Sequence, residues 1–228
     1  MGERISVGNP PIEVAIRRHS RARRLTLRVR AEGPVLTIPT RFPVDKADLF
    51  LQEREPWLRD RLAHLPEMRV VQPGSVLPFA GRDIQLVAGT GATRLHDNDT
   101  LVAAGSGIRF AARVRAFLIE AARARLTVAS DKYAADLGVT HAGITMRDTK
   151  SRWGSCTSEG RLMYSWRLVM APPPILDYVA AHEVAHRLEM NHGQHFWALV
   201  ESICPDYRTP RKWLRDHGAG LHVITFAT

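Results

Sequence analysis

The fold of the C-terminal half is decided by one stretch, His182-Glu183-Val184-Ala185-His186, which is followed six residues later by His192. On a helix, His182 and His186 lie about one turn apart, so both imidazoles can reach a single ion from one face. Glu183 lies one step round the helix, where its carboxylate can hold a water molecule rather than the ion. This HExxH arrangement with a nearby third histidine is typical of a three-ligand zinc site in a hydrolase.

A third ligand at His192 requires the helix to end before it. In an unbroken helix, His192 would lie about 240° round from His186 and could not share its ion. The sequence therefore predicts that the helix ends near Met190, with Asn191 in the left-handed conformation that stops many helices. Apolar residues spaced at i, i+3, i+4 and i+7 predict a second helix from Gly193 to about Cys204.

Two other side chains compete for the third ligand position, His195 and Glu201. Four of the ten histidines lie within positions 182–195, a density that favours a metal site over chance. The spacing of the three histidines also matches the metzincin pattern HExxHxxGxxH. Glu189 stands where that pattern has glycine, so a metzincin turn is not expected.

The first half of the chain is predicted to be mostly β. Short alternating segments predict strands at Ile12–Arg18, Arg24–Arg30, Val35–Ile38, Val76–Phe79, Arg82–Ala88 and Thr100–Ala103. A helix over about 45–64 lies between the third and fourth strands, and Pro56 is expected to kink or divide it. The glycines around Ser106 indicate a boundary. We therefore predict a β-rich domain over residues 1–106 and a second domain over residues 107–228.

The second half contains the elements that a zincin-like domain requires. A long amphipathic helix is predicted from Arg109 to Leu137. A β-hairpin follows, with one strand at Ile144–Arg147, a tight polar turn over 150–156 and a second strand over 162–166. Prolines 172–174 open the HExxH helix, and a last helix covers Thr209–His217. The predicted fold class is therefore α+β.

Composition indicates a protein without membrane spans or a disulfide framework. The 228 residues include no apolar run of eighteen, so no membrane span is predicted. The first residues lack the apolar segment of a signal peptide. The two cysteines, Cys156 and Cys204, are too few for a disulfide framework. We expect a cytoplasmic protein with reduced thiols, in which Cys156 is either a further zinc ligand or a small buried residue.

The chain has a net charge of +9, and nearly all of its positive charge is arginine. Five arginines lie close together near the start of the chain, at positions 17, 18, 21, 23 and 24. One interpretation is that this basic N-terminal region binds the phosphates of a nucleic acid or a nucleotide. The other is that Arg28 and Arg30, which follow the cluster, are the solvated face of a strand whose other face is apolar.

Several motifs along the chain form one set: Arg18-His19-Ser20-Arg21, Leu25-Thr26-Leu27-Arg28-Val29, Trp57-Leu58, Lys150-x-x-Trp153-Gly154-Ser155-Cys156, Asp177-Tyr178-Val179, the HExxH segment, Asn191-His192-Gly193-x-x-Phe196-Trp197 and Pro205-Asp206-Tyr207. Together they resemble the YgjP-like metallopeptidase family over nearly the whole chain. The resemblance implies a zincin-like fold and peptidase activity. It also implies that His182, His186 and His192 bind the metal and that Glu183 is the catalytic glutamate.

One position departs from that resemblance. Gly193 stands where many family members have serine after the third histidine. The resulting His-Gly-x-x-Phe segment is similar to the corresponding segment of SprT-like DNA–protein crosslink proteases, and the metal histidines are unaltered.

The expected activity is zinc-dependent hydrolysis of peptide bonds, by a zinc-activated water with Glu183 as the general base. The sequence offers three candidates for stabilising the oxyanion or binding substrate: Arg152, Lys150 and Tyr207. Each of them is equally compatible with an ion pair or with packing beneath the site. Trp153 and Gly154 are expected to shape the hairpin beside the cleft, where an edge strand could pair with an extended peptide.

Three alternatives to a general peptidase remain open. The first is a metal-dependent nucleoside triphosphate pyrophosphohydrolase, in which arginines bind the phosphates. The chain lacks a P-loop and an acidic Mg²⁺ cluster, which weakens this alternative. The second is a DNA-associated protease of the SprT-like kind. The third is a nucleic-acid-binding protein whose zinc only stabilises the fold, although such a site has no need of Glu183 and normally has four protein ligands.

Overall fold

The computed structural model describes residues 3–30, 33–63 and 68–226. The chain forms two compact units, Met1–Met68 and Arg69–Thr228. The expected boundary between residues 106 and 107 therefore falls inside the second unit. The reason is packing, since buried residues of the strands before it, such as Leu86 and Leu101, share one core with the helix that follows it.

The first unit is a four-stranded sheet with one helix. Its strands are β1 (Arg4–Val7), β2 (Ile12–His19), β3 (Thr26–Arg30) and β4 (Gly33–Pro39), in the order β1-β2-β4-β3. β2 and β4 are parallel, and the other pairs are antiparallel. The helix α1 (Val44–Ala63) buries Ala47, Leu51 and Leu58 in the same core as Val14, Leu36 and Ile38 of the sheet.

This unit contains the predicted strands, with ends shifted by one or two residues, and differs from the prediction in three further ways. β1 was not expected, because its four residues are too short to show a periodic pattern. The helix is continuous through Pro56, so two separate helices do not form. It begins at Val44, and the predicted end near His64 lies outside the described residues.

The second unit opens with short strands and a long helix. The strands are β5 (Arg69–Val70), β6 (Val76–Phe79), β7 (Arg82–Gly89), β8 (Arg94–Leu95) and β9 (Thr100–Ala104), and the last four form a sheet in the order β6-β7-β9-β8. The helix α2 (Gly107–Asp136) follows at once. Its buried stripe agrees with the predicted one and includes residues spaced four apart: Phe110, Val114, Leu118, Ala122 and Leu126.

A three-stranded sheet follows α2 and corrects the predicted hairpin. Its strands are β10 (Ile144–Arg147), β11 (Gly154–Cys156) and β12 (Leu162–Ser165), in the order β10-β12-β11. β10 is parallel to β12, whereas β11 and β12 form the antiparallel pair. The predicted turn over 150–156 thus contains a strand, and this strand is at an edge of the sheet.

Two short 3₁₀ helices cover Trp166–Met170 and Gly218–His222. The other elements described after β12 are three α-helices and a short strand that pairs with β5: α3 (Pro173–Ala185), α4 (Gln194–Ile203), α5 (Arg208–His217) and β13 (Ile224–Thr225). Two prolines occupy the first turn of α3, where no backbone N–H is needed. Ala180 and Val184 of α3 are fully buried, whereas Leu188, expected on the same stripe, is exposed because the helix has already ended.

The α+β fold class is confirmed, with the predicted long helix, HExxH helix and following helices. Among the described residues, no helix combines the length and the hydropathy that crossing a bilayer requires.

Candidate metal centre

Three histidines converge on one point of the second unit. Ligand nitrogens of His182, His186 and His192 all lie within 4.8 Å of one another. His182 belongs to α3, His186 is the residue that caps its C-terminus, and His192 lies in the loop before α4. The sequence-predicted group therefore comes together, whereas the competing His195 is exposed on α4 and lies outside it.

The loop that brings His192 back differs from the predicted one. α3 ends at Ala185, five residues before Met190, and the next turn is tightened by backbone N–H groups that donate to carbonyls three residues back, such as Arg187 to Val184 at 2.9 Å. Asn191 is not left-handed, since the described non-glycine residues with positive φ are Ala80 and Asp99. Because α3 ends early, the segment between His186 and His192 is long enough to turn back and bring the two imidazoles together.

The nitrogens of this triad suit a metal ion. The Nδ1 atom of His186 lies 2.9 Å from the backbone oxygen of Glu189. A carbonyl can only accept, so Nδ1 carries the proton and Nε2 keeps a free lone pair. The Nε2 atoms of His182 and His192 lie 3.0 Å apart. Two such nitrogens are brought this close most favourably when a proton or a cation lies between them.

His182 and His186 are held in the neutral form that metals require. Burial, together with the neighbouring imidazoles, lowers the pKa of His182 to about 3. Burial also lowers the pKa of His186. Both rings are therefore uncharged near neutral pH, which is the charge state in which imidazole binds a metal ion.

Phe196 is the shared packing partner of the three imidazoles. Its ring is fully buried, and its centroid lies 4.9 Å from that of His182, 4.5 Å from that of His186 and 4.7 Å from that of His192. The sequence identifies Phe196 as an apolar residue of α4 and as part of the His-Gly-x-x-Phe segment, but not what its ring contacts. Its contact with all three rings is tertiary and leaves no signal in the spacing.

Glu183 is a buried carboxylate beside the triad. Only 5% of its surface is exposed. Burial raises the pKa of Glu183 to about 8, and the positive charge of Arg152 opposes that shift. Gly154 of β11 lies directly against this side chain, because a Cβ atom at position 154 would stand 2.5 Å from Oε1 of Glu183. Glycine is therefore the residue that this approach allows.

An open cavity of about 570 Å³ gives access to the triad and to Glu183. One wall is β11 with the residues before it, a second is α3, and a third is α5. The charged residues that line it, besides the histidines, are Glu183 and three arginines: Arg152, Arg211 and Arg215. The site is thus a solvent-accessible cleft lined by a buried carboxylate and by three histidines that could hold a metal ion.

Comparison with known proteins identifies the family. The family model described as YgjP-like, metallopeptidase domain matches residues 23–217. The chain belongs to the YgjP-like metallopeptidase family. This confirms the resemblance seen in the sequence, makes the protein a metallopeptidase by family, and implies a bound metal ion.

Other comparisons are weaker. No curated protein matches the chain at a significant level. A solved structure, the metallopeptidase zymogen abylysin of Pyrococcus abyssi, is similar with 18% identity and a TM-score of 0.36, over 41% of this chain and 92% of that chain. At that TM-score, no residue role is transferred from it.

In the structure of this YgjP-like protein, the other candidate residues, Arg152, Lys150 and Tyr207, have different surroundings. Arg152 lines the cavity. Lys150 is not among the lining residues. Burial lowers the pKa of His222, and the charge of Lys150 adds to that shift. Tyr207 is buried and stacks on Trp197, with ring centroids 5.3 Å apart and planes at 17°. Tyr207 therefore packs behind the site, which is the structural alternative given for it.

The residues in and just before β11 also differ in what they contact. Gly154 touches Glu183, whereas Trp153 lines the cavity and stacks on His222 with ring centroids 5.1 Å apart. Cys156 lines the cavity, and its thiol lies 3.3 Å from the backbone oxygen of Thr157. Among the described residues, Cys156 is not part of the metal-binding group, so the structure favours a wall residue over a ligand.

Sequence reasoning missed the arginines of α5. The Arg211 guanidinium lies 4.3 Å from the centroid of the Trp197 ring, and Arg215 lies one turn further along the cavity wall. In a chain this rich in arginine, neither residue stands out. The only signal was their spacing of four, which places both on one face of a helix.

Proposed function

We propose that this protein is a zinc-dependent peptidase in which His182, His186 and His192 hold the metal and Glu183 is the general base. The observation that carries the proposal is the buried carboxylate beside three converging imidazoles at the base of an open cleft. Membership of a metallopeptidase family supports the same activity.

Zinc is the metal that this donor set fits best. Imidazole nitrogen suits zinc, whereas magnesium and calcium prefer carboxylate and carbonyl oxygens. A group of three protein ligands is typical of catalytic zinc, because structural sites are closed by a fourth. When bound, zinc lowers the pKa of water to near 7 and polarises a carbonyl oxygen. The cytoplasm is the compartment we assign, since Cys156 and Cys204 are both free thiols.

Glu183 would move the proton. Its carboxylate accepts a proton from the attacking water and then donates it to the amine of the departing peptide fragment. Burial favours the protonated form of Glu183, whereas the charge of a bound zinc ion would favour the carboxylate that accepts the proton. Arg152 lies close enough to affect that pKa and is the candidate for orienting the substrate carbonyl or its oxyanion.

The edge strand β11 would align the peptide. Gly154, Ser155 and Cys156 line the cavity, and β11 has β12 on one side only. An extended peptide can add to such an edge through backbone hydrogen bonds. The contact between Gly154 and Glu183 would then bring the peptide backbone beside the general base.

A phosphohydrolase is the second candidate, and one observation favours it. Arg152, Arg211 and Arg215 give the cleft three positive charges against the single carboxylate of Glu183. Guanidinium groups bind phosphate well. The experiment is to incubate zinc-loaded protein with an unfolded protein and with nucleoside triphosphates, each with and without a chelator. We expect chelator-sensitive cleavage of the protein substrate, and triphosphate hydrolysis without proteolysis would overturn the proposal.

A further inference from the structure

Two loops of the first unit lie side by side at one edge of its sheet. This edge is the line formed by the carboxyl ends of β2 and β4 and the start of β3. β2 and β4 are parallel, with His19 opposite Pro39, so their carboxyl ends lie side by side. β3 is antiparallel to β4, with Thr26 opposite Thr37, so β3 begins at the same edge. The loop over 20–25 and the loop over 40–43 both leave the sheet there.

Arginines are concentrated at this edge. The arginine edge, as we name it, consists of six exposed side chains, five at or beside this edge and Arg28 in the middle of β3: Arg17, Arg21, Arg23, Arg24, Arg28 and Arg41. Positive charge also extends across the open face of the sheet, the face away from α1. There Arg28 of β3 lies opposite Val35 of β4, which lies beside Ala15 of β2. Ala15 in turn lies opposite the exposed Arg4 of β1. With strands about 4.8 Å apart, that row is roughly 15 Å long.

Arg18 has a different role, because its side chain connects Glu3 to the loop over 40–43. Its Nε and Nη2 atoms donate to the Glu3 carboxylate at 3.0 and 3.2 Å. Its Nη1 atom donates to the backbone oxygens of Thr40 and Phe42 at 2.9 and 3.0 Å. Glu3 is thus already engaged by Arg18. Glu13, an acidic residue of the open face, lies toward the opposite end of β2, opposite Ser6.

Both loops carry hydrogen-bonded turns. The backbone N–H of Ala22 donates to the oxygen of His19 at 3.1 Å, and that of Phe42 donates to the oxygen of Pro39 at 3.0 Å. The arginines between and beside these turns are therefore presented by an ordered backbone. A positively charged surface that is already ordered loses less entropy when it binds an extended anion.

We propose that the arginine edge binds the phosphate backbone of nucleic acid, without preference for base sequence. Guanidinium groups bind phosphates through paired hydrogen bonds, and several phosphates on one strand can engage several arginines at once. Stable binding to a membrane or to a protein normally adds apolar anchors to the charge. In the described part of this unit, the exposed large apolar residues are Val44, Leu49 and Trp57 on α1, which packs on the opposite face, and Met68 beyond it.

The test compares two variants of the full chain that lose equal charge. Arg21, Arg23 and Arg24 are replaced by Gln in the edge variant. Arg54, Arg61 and Arg123, which lie on α1 and α2, are replaced by Gln in the control. Binding of a short labelled single-stranded DNA is followed by fluorescence anisotropy over a range of salt concentrations.

We expect the edge variant to bind at least about tenfold more weakly at about 0.1 M salt, and the control to stay within about twofold. The slope of log Kd against log salt should fall by about two, because each lost phosphate contact on a single strand contributes roughly 0.7. Thermal unfolding establishes that each variant is folded. If the edge variant fails to fold, Arg17 and Arg28 are replaced by Gln instead, with Arg54 and Arg61 as the control.

Three results would overturn the proposal. Equal weakening in both variants would show attraction to net charge rather than a site. Binding unaffected by the edge substitutions would place the site elsewhere. Tighter binding to phosphatidylserine vesicles or to polyglutamate than to DNA, with the same dependence on the edge, would assign the surface to another class of partner. This inference is independent of the proposed peptidase activity, because the measurement involves no cleavage.

Discussion

At the scale of single residues, Gly154 limits where the side chain of Glu183, the proposed general base, can lie. A Cβ atom there would lie 2.5 Å from Oε1 of Glu183, so Gly154→Ala must displace the carboxylate. We expect about a 100-fold loss of peptidase kcat, because a displacement near 1 Å at a catalytic group has that effect. Zinc content should be unchanged. Gly220→Ala is the matched control, since a Cβ there meets nothing within 4 Å, and an equal loss in both variants would contradict this role.

Phe196 tests whether packing orients the metal ligands. Phe196→Leu keeps an apolar side chain but loses the ring that contacts all three imidazoles. We expect zinc affinity to fall by about tenfold or more, the size of effect seen when support for ligands is removed. Val200→Ala is the control, because Val200 is equally buried one turn along α4. Val200→Ala should lower the free energy of unfolding by about 2 kcal/mol and leave zinc affinity unchanged. If zinc affinity is also unchanged in Phe196→Leu, Phe196 does not orient the histidines.

The residues that sequence could find are those with a fixed local spacing. His182, Glu183 and His186 are related by one helical turn, so their convergence follows from helix geometry. His192 required only a helix end between it and His186, although the position of that end was misjudged by several residues. Phe196 and Arg211 reach the site through the packing of α4 and α5 on α3, which no local pattern encodes.

At the scale of elements, α5 brings positive charge to the cleft. Arg211 and Arg215 lie one turn apart on the face that lines the cavity. We predict a preference for substrates with a carboxylate near the cleaved bond. Replacing both arginines by Gln should lower kcat/KM for a glutamate-containing peptide about tenfold relative to its glutamine counterpart, the size expected for one charge-assisted hydrogen bond.

Lys212 provides the control on the same helix. Its ammonium pairs with Asp216 and it does not line the cavity. Lys212→Gln should leave the ratio of the two kcat/KM values unchanged. If wild-type protein cleaves both peptides equally well, the arginines of α5 do not select substrate.

The three-stranded sheet shows why pairing is harder to predict than strands. β10 and β12 were both expected, because each alternates apolar and polar residues. β11 has three residues, too few for a period to appear, and its polar neighbours made the segment resemble a turn. Once β11 takes the antiparallel position beside β12, β10 is left with the parallel one. The edge strand of the candidate active site is thus the element with the weakest signal.

At the scale of the whole molecule, the division of the chain follows its two hydrophobic cores. Leu77, Ile84 and Leu101 pack in the same core as α2, and β5 pairs with β13 near the other end of the chain. A glycine-rich turn around Ser106 resembles a linker in sequence, but only burial shows that the strands before it belong with the helices after it.

This division predicts which fragments fold. A fragment over residues 68–228 retains its whole core and should unfold in one cooperative transition on heating. A fragment over 107–228 loses the strands that cover α2, exposes the side chain of Phe110 and should not unfold cooperatively. Circular dichroism during thermal unfolding distinguishes them. A cooperative transition in the shorter fragment would support a boundary at residue 107 instead.

Glu183→Gln tests whether Glu183 is the general base of a three-histidine zinc peptidase. The substitution preserves the size of the side chain and removes its ability to accept a proton. Zinc content and cleavage of an unfolded protein substrate are measured on the same preparations of wild type and variant. We predict equal zinc content and a loss of at least about 100-fold in cleavage rate, as expected for removal of a general base. Cleavage by the zinc-loaded variant at the wild-type rate would contradict the claim.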